Sequence, residues 1–454
     1  MAMAETKKSK LRVLMSPFLG YGHIMPFVEL AKKLSQTNDF CSYICSTPAN
    51  LNSIRTKLST SDLSSSIQLV DLHLQSSPEL PPHYHTTNGL PEHLHVNLYK
   101  AFKMSQPDFF EIMKNTKPHL VLYDAFQPWV PDMASSLGIP GVYFHISSAV
   151  STAFFYSFVK ICIRCEEPFP FPAIFLRPGE IKRMLATTPV DPTVLDPVGP
   201  CLDKSKDYIL TKTCNDIEDK YLDYLSKLTN KKVIPVGLLN DQRKQQSDDS
   251  CAEMINWLDS KENASTVYIS FGSETFLSNK DITELASGLE MSGTNFLWFI
   301  RFPSDDGKKI EEVLAQGFID RVKGRGMILQ GWSPQQKILG HASVGVFLGH
   351  SGWSSVIESL SFGVPIIGLP MKSDQPLIAR LLVEHGVALE VERDNQSLDF
   401  TREEVAKVIK EVMQSGSSVR MKAKKLSEKI KINEDQVLAA AVEKLKNICT
   451  GNMK

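Results

Sequence analysis

The stretch "FLGHSGWSSVIESLSFGVPIIGLPMKSDQ", Phe347–Gln375, runs from an apolar segment through a Gly-His-Ser loop into an amphipathic segment, then a second apolar segment and a polar loop. The short apolar runs "GVFL" (Gly345–Leu348) and "VPIIGL" (Val364–Leu369) read as buried strands, with "SVIESLSF" as the helix between them. Strands that are apolar at every position, rather than at alternate ones, belong to a parallel sheet covered on both faces. The embedded polar set of His350, Ser354, Ser355, Glu358, Asp374 and Gln375 is costly to bury unless each group finds a partner, so a polar ligand is expected there.

The same alternation extends outward. "LRVLM" (Leu11–Met15), "HLVLY" (His119–Tyr123), "TVYISF" (Thr266–Phe271) and "NFLWFI" (Asn295–Ile300) read as further strands, and helical patterns such as "MPFVELAKKL" follow most of them. The polar run "NDQRKQQSDDSC", Asn240–Cys251, has no apolar periodicity and reads as a linker. The chain of 454 residues exceeds one ordinary core. The fold class is therefore α/β, with two doubly wound parallel-sheet domains facing across a cleft. The expected divisions are 1–245, 246–435 and a C-terminal helix, 436–454, packing back on the first domain.

A formal net charge of −1 argues against a nucleic-acid partner. The start, "MAMAETKKSKLRVLMSP", has too short an apolar run for a signal peptide, and no stretch is apolar for the length of a membrane span. A cytoplasmic, soluble protein is expected, working as a monomer. Of eight cysteines only Cys162 and Cys165 form a Cys-x-x-Cys pair, which favours reduced thiols over zinc. The segment "HYHTTNGLPEHLH" holds His83, His85, His93 and His95, but the Thr, Asn, Gly and Pro between them favour a loop over a metal site.

"GYGHIM" after the first strand is one residue short of a dinucleotide fingerprint. The second strand region, "CSYICSTPAN", ends in Ser46 and Thr47 rather than the acidic residue that holds a ribose. That weakens a nicotinamide oxidoreductase reading. His23 sits where this loop turns into a helix, and the positive end of the helix dipole disfavours imidazolium, so the ring suits a general base. Asp124, at the carboxyl end of "HLVLY", is placed to bond the far imidazole nitrogen, fixing the tautomer. A capping His and a solvated Asp account for the same pattern. The aromatic residues Phe18, Phe126, Trp129, Phe154 and Phe155 suit a flat or terpenoid acceptor, or equally a core.

From Trp332 the chain reads "WSPQQKILGHASVGVFLGHSGWSSVIESLSFGVPIIGLPMKSDQ". This resembles the donor-binding signature of plant family 1 UDP-sugar glycosyltransferases, at the family's spacing from Trp-x-Pro-Gln to Asp-Gln. The resemblance extends to the Gly-His of the first loop, the Asp124 segment and "SFGSE", Ser270–Glu274. It implies a GT-B type fold of two Rossmann-like domains and UDP-glucose as co-substrate. It also implies inverting transfer to a hydroxyl of a small-molecule acceptor, without metal or other cofactor. "STPANL" and "HTTNGLP" look like the branch that extends sugar chains on terpenoid or flavonoid glycosides; the alternatives are glucosylation of an aglycone, or a sugar-nucleotide binding protein with weak catalysis.

On the same resemblance, uracil stacks on Trp332, Ser333 and Gln335 meet the uracil edge and ribose, and Glu358 accepts the ribose hydroxyls. Ser273, His350, Ser354 and Ser355 surround the pyrophosphate at a helix start, where phosphate binds well, and Trp353 belongs to the same donor site. Asp374 and Gln375 hold the hexose. The family usually has Cys and Asn where this chain has Ser351 and Ser354, "HSGWSS" for "HCGWNS". No Asp-x-Asp occurs, which disfavours a metal-dependent transferase.

Overall fold

The computed structural model describes residues 10–58, 66–164, 168–187, 198–240, 252–272, 275–302 and 309–451. By its contacts the chain divides into two units: Met1–Tyr156, Pro189–Leu239 and Glu434–Lys454 form the first, and Ser157–Thr188 with Asn240–Asn433 the second.

The first unit carries a seven-stranded parallel sheet, β1 (Leu11–Ser16), β2 (Phe40–Ser46), β3 (Ile67–Asp71), β4 (Leu120–Tyr123), β5 (Gly141–His145), β6 (Tyr208–Thr211) and β7 (Lys232–Pro235). Their spatial order is β3-β2-β1-β4-β5-β6-β7. Both faces are covered, because successive side chains of a strand point to opposite sides. Val13, Met15, Leu120 and Leu122 enter one core cluster, whereas Leu14, Val121 and Tyr123 enter another. The last helix, Ser418–Thr450, starts in the second unit and ends in the first, where Ala441, Val442, Leu445 and Ile448 join the core.

The second unit carries a six-stranded parallel sheet, β8 (Thr266–Ser270), β9 (Asn295–Ile300), β10 (Gly326–Gln330), β11 (Val344–Gly349), β12 (Ile366–Gly368) and β13 (Ala388–Glu390), in the order β10-β9-β8-β11-β12-β13. Both sheets thus reverse the direction in which strands are added: between β1 and β4 in the first, between β8 and β11 in the second. In open parallel sheets a ligand crevice lies beyond the carboxyl ends of the strands at such a reversal. Among the described residues no helix is long and apolar enough to cross a membrane.

Residues 157–188 cluster with the second unit rather than with the 1–245 block expected from sequence. The reason is electrostatic. Glu180, on the helix Pro178–Thr187, is buried between Arg177 at 3.0 Å and Arg380 at 2.9 Å, and Arg177 also pairs with Glu390. The Arg380 guanidinium lies 4.3 Å over the Phe175 ring. A buried carboxylate is retained only when such partners surround it.

Glu218 plays a comparable part in the first unit. Fully buried, it accepts hydrogen bonds from the Ala149 and Val150 amides and the Ser148 hydroxyl, and so caps the helix Ala149–Arg164 from a distant segment. Burial pushes its carboxyl pKa up, against the lowering effect of those bonds. Glu218→Ala leaves those donors without their acceptor, and is expected to lower the stability of the fold by about 3 kcal/mol. Urea unfolding followed by circular dichroism checks it; an unchanged midpoint would remove Glu218 as the cap.

Candidate active site

The helix Tyr21–Ser35 begins directly beyond β1, and His23 is its third residue. Its N-cap, Gly20, provides no side-chain cap, and the first turn itself contains no acidic residue. Asp124 follows β4, the neighbour of β1, and the pairing of Ser16 with Tyr123 brings the two strand ends level. His23 Nδ1 and Asp124 Oδ2 are 2.7 Å apart, with Asp124 buried and the His23 side chain 31% exposed.

The carboxylate is held from the other side by backbone: Phe18 N–H donates to Oδ2 at 3.0 Å and Ala125 N–H to Oδ1 at 2.7 Å. Such bonds fix its orientation toward the imidazole. Phe18 also packs edge-on against the His23 ring at 5.4 Å, and Phe126 lies 4.5 Å from Phe18. Phe126 adopts φ 66°, a backbone strain of the kind that accumulates at functional loops.

Of the other aromatic candidates, Trp129 belongs to the core: it is buried and packs on Phe109 at 5.4 Å and Phe102 at 6.1 Å. Phe154 and Phe155 are half-buried on the helix Ala149–Arg164, in edge contact with each other at 5.7 Å.

In the second unit the polar candidates gather beyond β8, β10 and β11. Trp332 follows β10 and is 66% exposed, a rare state for tryptophan, with the Arg301 guanidinium 5.6 Å from its ring centre. Gln335 opens the helix Gln335–Leu339 and donates to Ser355 Oγ at 3.0 Å and Glu358 Oε2 at 2.7 Å, while Gln336 donates to Glu358 Oε1 at 3.2 Å. These bonds hold the Glu358 carboxylate and the Ser355 hydroxyl in one polar cluster.

His350 follows β11, and Gly352 caps the helix Trp353–Ser361 without any side-chain bond. The imidazole is wedged between two glycines: a Cβ on Gly272 would lie 2.9 Å from its Cε1, and one on Gly352 would collide with its Nε2. Gly272 also has φ +74°, so both the contact and the backbone require glycine in "SFGS". Burial, helped by the charge of Lys372, pushes the His350 pKa down to about 4, so the ring is neutral at neutral pH. Its Nδ1 is buried without a hydrogen-bond partner among the described residues. Ser354 is exposed and Ser355 half-buried at the helix start, whereas Trp353 is buried.

Asp374 and Gln375 open the helix Gln375–His385. The Gln375 carbonyl oxygen is already engaged, accepting from Met371 N–H at 2.9 Å and Lys372 N–H at 3.0 Å, so its NH2 is the end left for a ligand. Arg183 donates to Met371 O at 3.0 Å and steadies the same loop. Ser273 lies outside the described residues, as do Cys165 and the linker 241–251. The histidines of "HYHTTNGLPEHLH" form no cluster: among the described residues no group of three or more His, Cys, Asp and Glu stands ready to hold a metal ion.

Sequence reasoning missed Tyr268. This β8 residue is buried, stacked on Phe347 at 5.2 Å, and its hydroxyl meets Ser333 Oγ at 2.8 Å and Gln335 Oε1 at 3.3 Å. Burial pushes its pKa up, so it stays a neutral hydroxyl linking the two loops. Its apolar surroundings in "TVYISF" made it look like plain core. Arg301 was missed because only the strand pairing brings the ends of β9 and β10 together.

A family model described as UDP-glucoronosyl and UDP-glucosyl transferase matches residues 222–439. The chain is 46% identical to a mogroside IIIx synthase of Siraitia grosvenorii, across 92% of this chain and 93% of that protein. It is 42% identical to the beta-D-glucosyl crocetin beta-1,6-glucosyltransferase of Gardenia jasminoides, across 96% and 98%. Among solved structures, UGT73P12 of Glycyrrhiza uralensis, complexed with glycyrrhetinic acid 3-O-monoglucuronide, is similar with a TM-score of 0.83 at 25% identity, across 98% of this chain and 97% of that one. With two parallel-sheet α/β units, a polar cluster at each strand-order reversal and relatives of this kind along nearly its whole length, the chain belongs to the plant family 1 UDP-sugar glycosyltransferases, enzymes of GT-B fold.

Proposed function

We propose that this transferase moves glucose from UDP-glucose, with inversion, onto a sugar hydroxyl of a plant terpenoid or flavonoid glycoside. The observation that carries the chemistry is the 2.7 Å contact between His23 Nδ1 and a buried, backbone-anchored Asp124. With Nδ1–H donating to the carboxylate, Nε2 carries the lone pair and takes the proton of the acceptor hydroxyl. Asp124 then stabilises the imidazolium formed, and the hydroxyl oxygen attacks the anomeric carbon opposite the departing UDP. One displacement gives a β-glucoside from an α-linked donor.

The leaving pyrophosphate gains negative charge as the bond breaks. The start of the helix Trp353–Ser361, with the Ser354 and Ser355 amides, and a neutral His350 between its two glycines supply fixed dipoles there. Trp332 offers uracil a stacking face, worth ~1–3 kcal/mol. Ser333 and Gln335 take the uracil edge and ribose, Glu358 takes the ribose hydroxyls, and Asp374 with the Gln375 amide takes the hexose. Extension of a sugar chain, rather than glucosylation of an aglycone, is supported by the glucosyl crocetin acceptor in the name of one relative and by the monoglucuronide bound in the solved structure.

The proposal is tested by incubating the enzyme with UDP-glucose and matched pairs of aglycone and monoglucoside, reading products by mass spectrometry and anomeric configuration by NMR. Diglucosides with a β linkage are expected. Products from aglycones alone would overturn the acceptor assignment, and UDP binding with no product from either would overturn the reaction.

His23→Ala should reduce turnover by ~10²–10⁴, the usual contribution of a general base, while the affinity for UDP measured by calorimetry changes less than about twofold. Turnover at the wild-type level would sink the base assignment. Tyr268→Phe removes one hydroxyl from the Ser333 and Gln335 cluster, and should raise KM for UDP-glucose by about 2–10-fold with kcat nearly kept. An unchanged KM would mean that the cluster does not meet the nucleotide.

A further inference from the structure

Two segments that resemble the sugar-extending branch, "STPANL" and "HTTNGLP", lie far apart in sequence and are brought together beside the loop that leads to His23. Thr47 Oγ1 donates to His85 O at 2.6 Å, Asn50 Nδ2 donates to Thr47 Oγ1 at 3.0 Å, and Thr86 Oγ1 donates to Asn50 Oδ1 at 2.7 Å. All four residues are buried, so the network fixes the backbone of the second segment. The next residue is anchored differently: Thr87 N–H donates to Leu19 O at 2.9 Å, tying the segment to the residue before Gly20.

Thr86 is thus consumed by the scaffold, and Thr87 is the one held against the active loop. A Cβ placed on Gly20 would lie 2.9 Å from Thr87 Oγ1 and 3.4 Å from His23 Cδ2. The hydroxyl and that ring edge therefore both border Gly20, and a side chain there would press on the hydroxyl. Cδ2 is bonded to Nε2, the nitrogen turned away from Asp124. Thr87 is half-buried, and its hydroxyl has no hydrogen-bond partner among the described residues.

We propose that Thr87 is an acceptor-specificity residue: its hydroxyl binds a second hydroxyl on the sugar ring whose neighbouring oxygen His23 deprotonates. The ligand class is a glycoside with at least two free hydroxyls on the attacked ring, and the inference rests on the sugar-extending reading above. A pyranose suits this geometry, because it presents hydroxyls spaced along one rigid ring. An aglycone with a single hydroxyl leaves Thr87 unpaired. A site built to bond a hydroxyl discriminates against the analogue that lacks it.

The experiment compares wild type, Thr87→Val and Thr87→Ser on a flavonoid 7-O-glucoside and a triterpenoid 3-O-glucoside, each with its monodeoxy analogues. Valine keeps the shape and the backbone bond to Leu19; serine keeps the hydroxyl. We expect Thr87→Val to lose about tenfold in kcat/KM on the glucosides, with the melting temperature, the KM for UDP-glucose and the pH profile unchanged, and Thr87→Ser to restore most of it. One deoxyglucoside should be used equally by wild type and Thr87→Val, identifying the hydroxyl bound.

Equal activity of wild type and Thr87→Val on glucosides overturns the inference alone. So does an equal loss on every deoxy analogue, or a shifted pH profile, which would place the effect on His23 instead. Transfer by wild type to aglycones only overturns the inference together with the reading on which it rests.

Discussion

A parallel strand must be reached by a crossover, so every loop that leaves a strand at its carboxyl end emerges on the same edge of the sheet. Where successive strands are laid to opposite sides, two such loops diverge and leave a crevice. This chain does so twice, at β1 and β4 and again at β8 and β11. His23, in the first turn of the helix after β1, and Asp124, in the loop after β4, stand at the first reversal; Gly272 and His350 follow β8 and β11 at the second. The candidate site residues therefore need no dedicated scaffold beyond the topology of each sheet.

Topology brings the loops together but does not aim the side chains; that work falls to local bonding. Asp124 faces the imidazole because Phe18 and Ala125 amides occupy its other lone pairs, and Phe18 then uses its ring to flank the same imidazole. His350 is oriented sterically, by the glycines on either side of it. The Glu358 carboxylate is oriented by two glutamines, and Ser333 by the Tyr268 hydroxyl. Asp124 and Tyr268 are buried enough that a wrong orientation would strand a polar atom.

Much of this was legible from sequence because the strands are apolar on both faces. "LRVLM", "HLVLY", "TVYISF", "NFLWFI", "GVFL" and "VPIIGL" each correspond to a strand, and the segments that follow them hold His23, Asp124 and His350. The strands Gly326–Gln330 and Ala388–Glu390 were less legible, since they lie at the sheet edges and are partly exposed or only three residues long, and Ile67–Asp71, Gly141–His145, Tyr208–Thr211 and Lys232–Pro235 were not read as strands either, although the second and third of these are buried throughout. Trp129 and Tyr268 misled in opposite directions: an aromatic beside Asp124 proved to be core, and an aromatic inside an apolar strand proved to hold the polar loops. Composition cannot separate these cases, because the difference lies in where one polar atom of a buried ring points. The use of the Gln375 carbonyl on its own loop was equally invisible, being a bond to backbone amides that any sequence possesses.

The membership of residues 157–188 in the second unit bears on how such enzymes are recombined. An exchange of halves at the polar linker after Asn240 looks natural on paper, yet it parts Glu180 from Arg380 and Arg177 from Glu390. A hybrid made at that point inherits each charge from a different parent, and any parent pair that does not match at these four positions buries an ion without its counterpart. The chain is therefore modular in three dimensions but not along its length. A graft that respects the molecule must carry the helix Pro178–Thr187 with the sheet of the second unit, two separate pieces of gene for one piece of protein.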